Sequence, residues 1–184
     1  MRPGLRALAV LALASSACAA LKPRPLDPGL FLLPPGAAGV VLSLTQALIF
    51  SKGASHFESL AAVEVSKDSV ALAGLSPLGN RMLSLRWDGK TLEQEHDASL
   101  PPDLPLKLIL RDLQLAFWPQ AAVQGALGRD WTLEDDGSTR LLKKSGQTVV
   151  KISYGGTDRW HSKARFEHLG LGYQLDINPV DDNE

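Results

Sequence analysis

The residue with the most distinctive chemistry is Cys18, the only cysteine in the 184-residue chain. A lone cysteine cannot form an internal disulfide, and a zinc site built on thiolates cannot be assembled from it. It follows the small residues Ser-Ser-Ala at 15–17, an apolar run at 7–14 and a start that contains Arg2 and Arg6. This order predicts a signal peptide over residues 1–17, after which the thiol of Cys18 is available for modification.

The four residues that end at Cys18 resemble the lipobox of bacterial lipoproteins, with Ser15 where that motif prefers leucine. The resemblance implies that Cys18 carries acyl chains such as palmitate, which anchor the protein because each buried CH₂ contributes about 0.8 kcal/mol. In Gram-negative lipoproteins, an aspartate directly after the modified cysteine resembles an inner-membrane retention signal. Here that position is Ala19, so we expect the protein at the periplasmic face of the outer membrane. The alternative is an ordinary signal peptide that is cut after Ala17 or Ala20.

Residue patterns typical of enzymes are missing from the sequence. It has no Gly-x-Ser-x-Gly elbow, no phosphate-binding loop and no His-Glu-x-x-His zinc motif. A hydrolase triad could be imagined from His161 or His168 with Ser153 or Ser162, but solvated histidines on late strands and loops fit the pattern better. We therefore expect no enzymatic activity, no cofactor and no metal site.

Composition divides the chain into a leader, a tether and one folded body. Five prolines occur between residues 22 and 35, which predicts an extended spacer over 18–35 after the modified cysteine. The body is expected over 36–180, followed by an acidic tail at 181–184. With 19 Lys and Arg against 20 Asp and Glu, the charge is balanced, and no basic face for nucleic acid is indicated.

Most of the body has the alternating pattern of strands that are buried on one face. The alternating segments are residues 40–50, 57–65 and 81–87. Asp-Gly at 88–89 and 136–137 and Ser-Gly at 145–146 are hairpin signals. They predict pairing of 81–88 with 91–96, of 130–134 with 139–144, and of the latter with 148–154. Two final strands are predicted near 164–168 and 173–178.

One segment, residues 104–118, has helical periodicity, with Asp103 as N-cap and Pro119 as the stop. Its apolar positions would face the sheet, with Lys107, Arg111 and Gln114 on the opposite side, and residues 120–127 would add a further short turn of helix. We therefore predict a mainly β fold, in which one helix plugs a curved antiparallel sheet. Apolar surface that the helix leaves uncovered would mark a binding site.

This order of features resembles LolB, the outer-membrane receptor that accepts and inserts lipoproteins. Leu-Ser-Pro-Leu-Gly at 75–79 resembles the family's Asn-Pro-Leu-Gly loop, and the helix after Pro101-Pro102 matches in place. Residues 131–133, 149–156, 166–167 and 173–177 resemble its later strands. The chain is more similar still to LolB-like lipoproteins that often accompany aryl-polyene lipid genes, which share the stretches at 33–36 and 77–81. The short strand before Pro77, rich in Ala and Gly, and the shorter proline-rich tether depart from LolB.

The resemblance implies a half-barrel that binds acyl chains, with Leu78 as an exposed leucine that contacts the membrane during transfer. For Leu78, the alternative is a turn residue packed on Leu75; for the apolar strand residues, it is ordinary core packing. The expected acyl-binding residues on the strands are Leu42, Leu44, Leu48, Phe57, Val63, Leu83, Leu85 and Trp87. Those on the helix are Leu106, Ile109, Leu110, Leu113 and Phe117.

Two functions of different class remain open. The first is a monomeric, lipid-anchored carrier for the acyl chains of a lipid or lipoprotein, which a periplasmic carrier protein could supply. The second is a non-catalytic accessory or scaffold lipoprotein of a lipid synthesis or export system of the aryl-polyene type. The carrier requires apolar space between sheet and helix.

Overall fold

The computed structural model describes residues 31–98, 100 and 105–180. The predicted signal peptide, Cys18, most of the tether, Asp103 and the acidic tail lie outside the described residues. Pro35–Ala38 forms a short 3₁₀ turn before the first strand. No helix in the described ranges is long and apolar enough to span a membrane.

The described chain forms ten strands and two helices. The first five strands are β1 (Leu42–Lys52), β2 (Ser55–Val65), β3 (Val70–Leu75), β4 (Arg81–Trp87) and β5 (Leu92–His96). The helices α1 (Leu106–Phe117) and α2 (Gln120–Ala126) come next. The last five strands are β6 (Trp131–Asp135), β7 (Thr139–Lys144), β8 (Gln147–Tyr154), β9 (Ala164–His168) and β10 (Tyr173–Pro179).

All ten strands belong to one antiparallel sheet, in the order β5-β4-β3-β2-β1-β10-β9-β8-β7-β6. The sheet is thus made of two five-strand meanders joined along the pairing of β1 with β10. It is not closed, since β5 and β6 are its two edges. The predicted hairpins are confirmed, and Gly89 and Gly137 adopt positive φ in their turns, where glycine meets no steric penalty.

The strands are staggered in the same direction at both ends of the sheet. At one end, Leu75 of β3 is level with Ala47 of β1, whereas the start of β10 is level with Ser51. At the other end, Val70 is level with Leu42, whereas the start of β9 is level with Leu48. A stagger of this kind accompanies strands that are tilted about a common axis, as in barrels and parts of barrels.

The core lies between one face of the sheet and α1. The buried guanidinium of Arg140 on β7 donates to three carbonyls at the end of α1: Leu115 O at 2.7 Å, Ala116 O at 3.3 Å and Trp118 O at 2.9 Å. These are carbonyls that a helix end leaves without an intrahelical partner. The same guanidinium is paired with Asp135 of β6, so the end of α1 is fixed to the second meander.

The further turn of helix predicted over 120–127 is confirmed as α2, which begins after the chain turns at Pro119. The expected polar side of α1 is wrong. Of the three polar residues expected on the far side of α1, only Lys107 is exposed, whereas Arg111 and Gln114 are fully buried. The back of the helix is therefore covered as well.

Candidate functional site

The predicted acyl-binding residues fall into two groups in the structure. One group is packed into the core and is buried: Val63, Leu85, Trp87, Leu106, Leu110 and Phe117. A second group is half-buried at the margin of that core: Leu42, Leu44, Leu48, Leu83, Ile109 and Leu113. Phe57 remains 45% exposed. Only the second group and Phe57 present surface that a ligand could contact.

The half-buried residues of the sheet follow β1 and its neighbours, where the two meanders meet. Leu44 is level with Val63 on β2, and Leu48 with Ile177 on β10. Phe50 is level with both Phe57 and Leu175. We call this set the apolar strip. It consists of Leu42, Leu44, Leu48, Phe50, Phe57, Tyr173 and Leu175.

Tyr173 and Leu175 of β10 belong to the strip but were not among the predicted ligand residues. The ring of Tyr173 lies 5.7 Å from that of Phe50 and stacks on Phe166 at 6.1 Å, measured between ring centroids. The alternation of Tyr173, Leu175 and Ile177 could have signalled a shared face. What the sequence does not show is that β10 pairs with β1.

A polar cluster joins α1 to the same region. Arg111 donates to Oδ1 of Asp112 from Nε at 2.9 Å and from Nη2 at 2.7 Å, and the Tyr173 hydroxyl donates to Oδ2 of Asp112. Burial, followed by the negative charge of Asp112, raises the pKa of Tyr173 above its ordinary value. The Tyr173 hydroxyl therefore stays protonated, and it ties β10 to the helix beside the apolar strip.

The N-terminal arm covers the back of α1. The buried amide of Gln114 accepts from Leu33 N at 2.8 Å and donates to Leu33 O at 2.9 Å. Nε1 of Trp87 donates to the same carbonyl at 2.8 Å. Phe31, Leu32 and Leu33 pack against the core. The arm thus explains the burial of Gln114, and it closes the sheet–helix space on the β4 side.

The loop between β3 and β4 presents Leu78, which is 88% exposed. Gly79 N donates to Ser76 O at 2.8 Å, and Asn80 N donates to the Ser76 hydroxyl at 3.2 Å. Gly79 takes the positive φ of 81° that closes the turn. The alternative that Leu78 packs back onto the protein is therefore wrong, whereas its contact with a membrane stays a prediction.

The histidines considered for catalysis do not meet. His161 is exposed, with Nδ1 3.0 Å from Asp158, and lies in the connection before β9. His168 is buried at the other end of β9. Trp160, in the same connection as His161, is buried and stacks on Phe117 at 4.3 Å between ring centroids. In the described segments, no group of three or more His, Cys, Asp or Glu is placed to hold a metal ion.

Two open clefts of the described residues lie away from the space between α1 and the sheet. The larger, about 360 Å³, lies on the opposite face of β2 to β5, over Ala62, Ala73 and Ser84. The other, about 200 Å³, lies between Arg81 and His96 on β4 and β5. The apolar space between sheet and helix that a carrier was expected to require is neither of these clefts, and the apolar strip is a surface beside the helix.

Comparison with protein families identifies a match. The sequence model of a family described as "Protein of unknown function (DUF3261)" matches residues 43–181. This range contains both helices and all ten strands except Leu42, the first residue of β1. No curated protein matches the chain.

Proposed function

The chain belongs to the DUF3261 family of proteins of unknown function, and we propose that it is a non-catalytic acyl-chain carrier. In this proposal the protein is anchored through Cys18 at the periplasmic face of the outer membrane. It binds the acyl chains of a lipid or lipoprotein and helps to deliver them to that membrane. The described residues support the binding step, on which the proposal depends.

The observation that carries the proposal is the apolar strip, which stays partly open although a helix packs beside it. Leu42, Leu44 and Leu48 are half-buried along β1, and Ile109 and Leu113 of α1 are half-buried as well. From Leu42 to Phe50 the strip runs roughly 26 Å at about 3.3 Å per residue, with one interruption at Gln46, which is buried on the same face and donates to Trp160 O at 3.3 Å. A long and narrow apolar surface of this kind suits an extended hydrocarbon chain, since each CH₂ removed from water contributes about 0.8 kcal/mol.

The architecture supports the same function. An open, staggered antiparallel sheet with helices on one face resembles the half-barrel of LolA and LolB, as the sequence motifs suggested. Such a sheet bends toward its helices, and a ligand can enter where the barrel is not closed. By the same resemblance, the exposed Leu78 would touch the bilayer during delivery.

The alternative function, an accessory protein that holds a protein partner, is favoured by one feature. The edge strand β5 is exposed along most of its length, and its outer backbone groups could pair with a strand of another protein. Glu93 and Glu95 on this strand make it a poor edge for nonspecific association. A periplasmic carrier protein that delivers the cargo could use this edge without conflict with the apolar strip.

The proposal is tested by measuring lipid on the full-length protein purified from membranes. We expect native mass spectrometry to show a lipid-bound population that is lowered about tenfold by Leu48→Gln and by Ile109→Gln. Each change replaces an apolar contact with a polar group, and a buried Leu or Ile contributes about 1.5–3 kcal/mol. The two variants approach the strip from different elements, β1 and α1.

Lys107→Gln is the matched control, because Lys107 is exposed on the same helix as Ile109 and should leave lipid occupancy unchanged. Thermal unfolding of all variants separates lost binding from lost folding. A lipid-free spectrum of the unmodified protein, or equal occupancy in the strip variants and the control, would contradict the carrier function.

A further inference from the structure

We propose that one end of the sheet, the end formed by the β1–β2, β3–β4, β7–β8 and β9–β10 turns, is a membrane-docking end that meets anionic phospholipid. Leu169 is its second insertion point. The inference rests on the proposed function, which places the protein at a membrane. It adds which surface of the protein contacts the membrane and which class of lipid that surface meets. We call this end the docking end.

The strand register places the four turns at the same end. β1 ends and β10 begins at one level, with Ser51 opposite Gln174. β9 ends and β8 begins there too, with His168 opposite Val150. The β3–β4 loop lies lower in register, but the strand stagger brings it toward the same end of a tilted sheet.

Large apolar side chains are exposed along this end. Leu169 in the β9–β10 turn is 57% exposed, Phe57 near the β1–β2 turn is 45% exposed, and Leu78 is 88% exposed. The β3–β4 and β9–β10 turns are four strand spacings apart, roughly 19 Å along the sheet. Single apolar side chains on separate tips suit a soft surface that closes around each of them, rather than the continuous patch of a protein interface.

The charges of the turns differ between the two ends. With their flanking strand residues, the four turns of the docking end contain Lys52, Arg81 and Lys144 and no Asp or Glu. Counted in the same way, the four opposite turns contain five aspartates, Asp68, Asp88, Asp135, Asp136 and Asp158, against four cations, Lys67, Lys90, Arg159 and Lys163. The opposite turns are therefore nearly neutral, whereas those of the docking end are positive. Cations near an anionic lipid surface contribute to binding, and anions oppose it. Two aspartates also lie at the docking end, but at its two edges: Asp97 directly follows β5 and Asp130 directly precedes β6.

The three cations remain able to face a membrane. Lys52 is exposed. Arg81 makes only a long contact with Glu95, at 4.0 Å between Nη2 and the carboxylate. Lys144 lies 5.3 Å from the centre of the Trp131 ring. These cations therefore lie at the same end of the sheet as the exposed leucines, as in surfaces that combine shallow apolar insertion with attraction to acidic headgroups.

The length of the tether is compatible with this orientation. Leu33 is held by Trp87 at the opposite end of the sheet, where Pro35 lies against Gly89. The segment from Cys18 to Leu33 can extend about 47 Å at about 3.1 Å per residue. The longest strands span about 36 Å. An anchor at Cys18 can thus lie in the same membrane that the docking end touches.

The test places a tryptophan at each end of the full-length, membrane-purified protein. All four native tryptophans are buried, so an added surface tryptophan is the residue that lipid can quench. The variants are Leu169→Trp, Leu78→Trp and, as the control, Val41→Trp. Val41 is 79% exposed and lies at the opposite end, before β1. The vesicles contain phosphatidylethanolamine, phosphatidylglycerol and a phospholipid with brominated acyl chains.

We expect the added emission of Leu169→Trp and Leu78→Trp to be quenched about twofold, because a side chain at this depth reaches the acyl boundary. Val41→Trp should keep its emission. In the Leu169→Trp background, Lys52→Gln should lower the inserted fraction by about fivefold. Lys90→Gln, in the β4–β5 turn at the other end, should not.

Equal quenching at positions 41 and 169 would overturn the docking end, as would no quenching at 169 or no association with the vesicles. Quenching at 78 without quenching at 169 would overturn it as well, because the proposed surface includes Leu169. Lipid occupancy in native mass spectrometry is an independent readout. A protein that carries lipid but shows no quenching at 169 keeps its carrier function and loses this docking surface.

Discussion

At the scale of single residues, the fold depends on buried polar side chains that are hydrogen-bonded or ion-paired. Arg140 joins the last carbonyls of α1 to Asp135, which also accepts from Arg159 at 2.8 and 2.5 Å. The Arg159 guanidinium in turn lies 4.1 Å from the centre of the Tyr154 ring. Removing one member of such a group costs more than the pair contributes, because its partner is left charged and buried.

This arrangement predicts a pH dependence of stability. Burial raises the pKa of Asp135, but hydrogen bonds from Arg159, the Gly137 amide and Arg140 outweigh it and hold that pKa well below its usual value. A carboxyl group whose pKa is lower in the folded state contributes stability above its unfolded pKa, near 3.9, and the contribution is lost as the pH falls below that value.

We expect Asp135→Asn to lower the free energy of unfolding by about 3 kcal/mol at pH 7. The difference in free energy of unfolding between this variant and the unmodified protein should become smaller as the pH falls below about 4. Urea unfolding across this range measures both effects. Asp68→Asn, at an exposed position, is the control and should cost little. If that difference stays constant down to pH 2, the charge of the Asp135 carboxylate does not contribute to stability.

The buried polar residues are also where sequence reasoning failed. Arg111 and Gln114 occupy positions that a simple amphipathic helix gives to solvent, and Gln46 was not singled out within the apolar alternation of β1. Two of them are buried by segments distant in sequence: Gln114 by Leu33, and Gln46 through its contact with Trp160 O at 3.3 Å. Periodicity reports one neighbouring layer, so it could not show a second layer formed by the N-terminal arm.

At the scale of elements, the two edges of the sheet are treated differently. β6 is covered by α2, whose Gln120 donates to Leu133 O at 2.7 Å. Gln124 donates to Trp131 O at 3.1 Å and accepts from Leu133 N at 2.7 Å. Two glutamines thus replace part of the missing neighbouring strand. β5 has no such cover among the described elements and relies on charged side chains.

Gln124→Leu tests the cover, because it keeps the size of the side chain but leaves the Leu133 amide and the Trp131 carbonyl without their partner. An unpaired buried group costs about 1–3 kcal/mol. We therefore expect hydrogen exchange at the Leu133 amide to accelerate by about tenfold or more. Gln147→Leu, at an exposed position, should leave that exchange rate unchanged. If the Leu133 amide stays protected, α2 does not guard this edge through Gln124.

The strands themselves were predictable. Period-two alternation and Asp-Gly turns are local signals, and the hairpins they predicted are those observed, including β4 with β5 and β6 with β7. The helix segment was also found, since Pro119 is a local stop. The sequence was sufficient to name apolar residues of the candidate site. It was not sufficient to separate those that are buried in the core from those that remain partly exposed. That division depends on where α1 and the arm lie over the sheet, which no local signal encodes.

At the scale of the whole molecule, the arm, the strip and the docking end make a single layout. Leu33 is held at one end of the sheet, Leu78 and Leu169 lie at the other, and the apolar strip runs between them along β1. The tether must therefore run the length of the body for the docking end to meet the membrane that holds the anchor.

Deletion of residues 22–28 should break this layout. The segment from Cys18 to Leu33 would then extend only about 25 Å, less than the length of the longest strands. In Leu169→Trp, we expect vesicle quenching to disappear while the protein stays anchored. Replacing 22–28 by a Gly-Ser segment of equal length should restore it. Quenching that survives the deletion would show that the arm leaves Gln114 or that the docking end is elsewhere.

The pairing of β1 with β10 has a consequence for the order of assembly. Each meander is built from neighbouring hairpins and can form as soon as its strands are available. Their junction, however, joins the first strand of the sheet to the last and closes a loop of well over a hundred residues, which is entropically costly and slow. Until β10 arrives, β1 is an open edge bearing the leucines of the strip. A chain synthesised from its N-terminus therefore remains incompletely folded, and dependent on protection of that edge, until its final strand has been made.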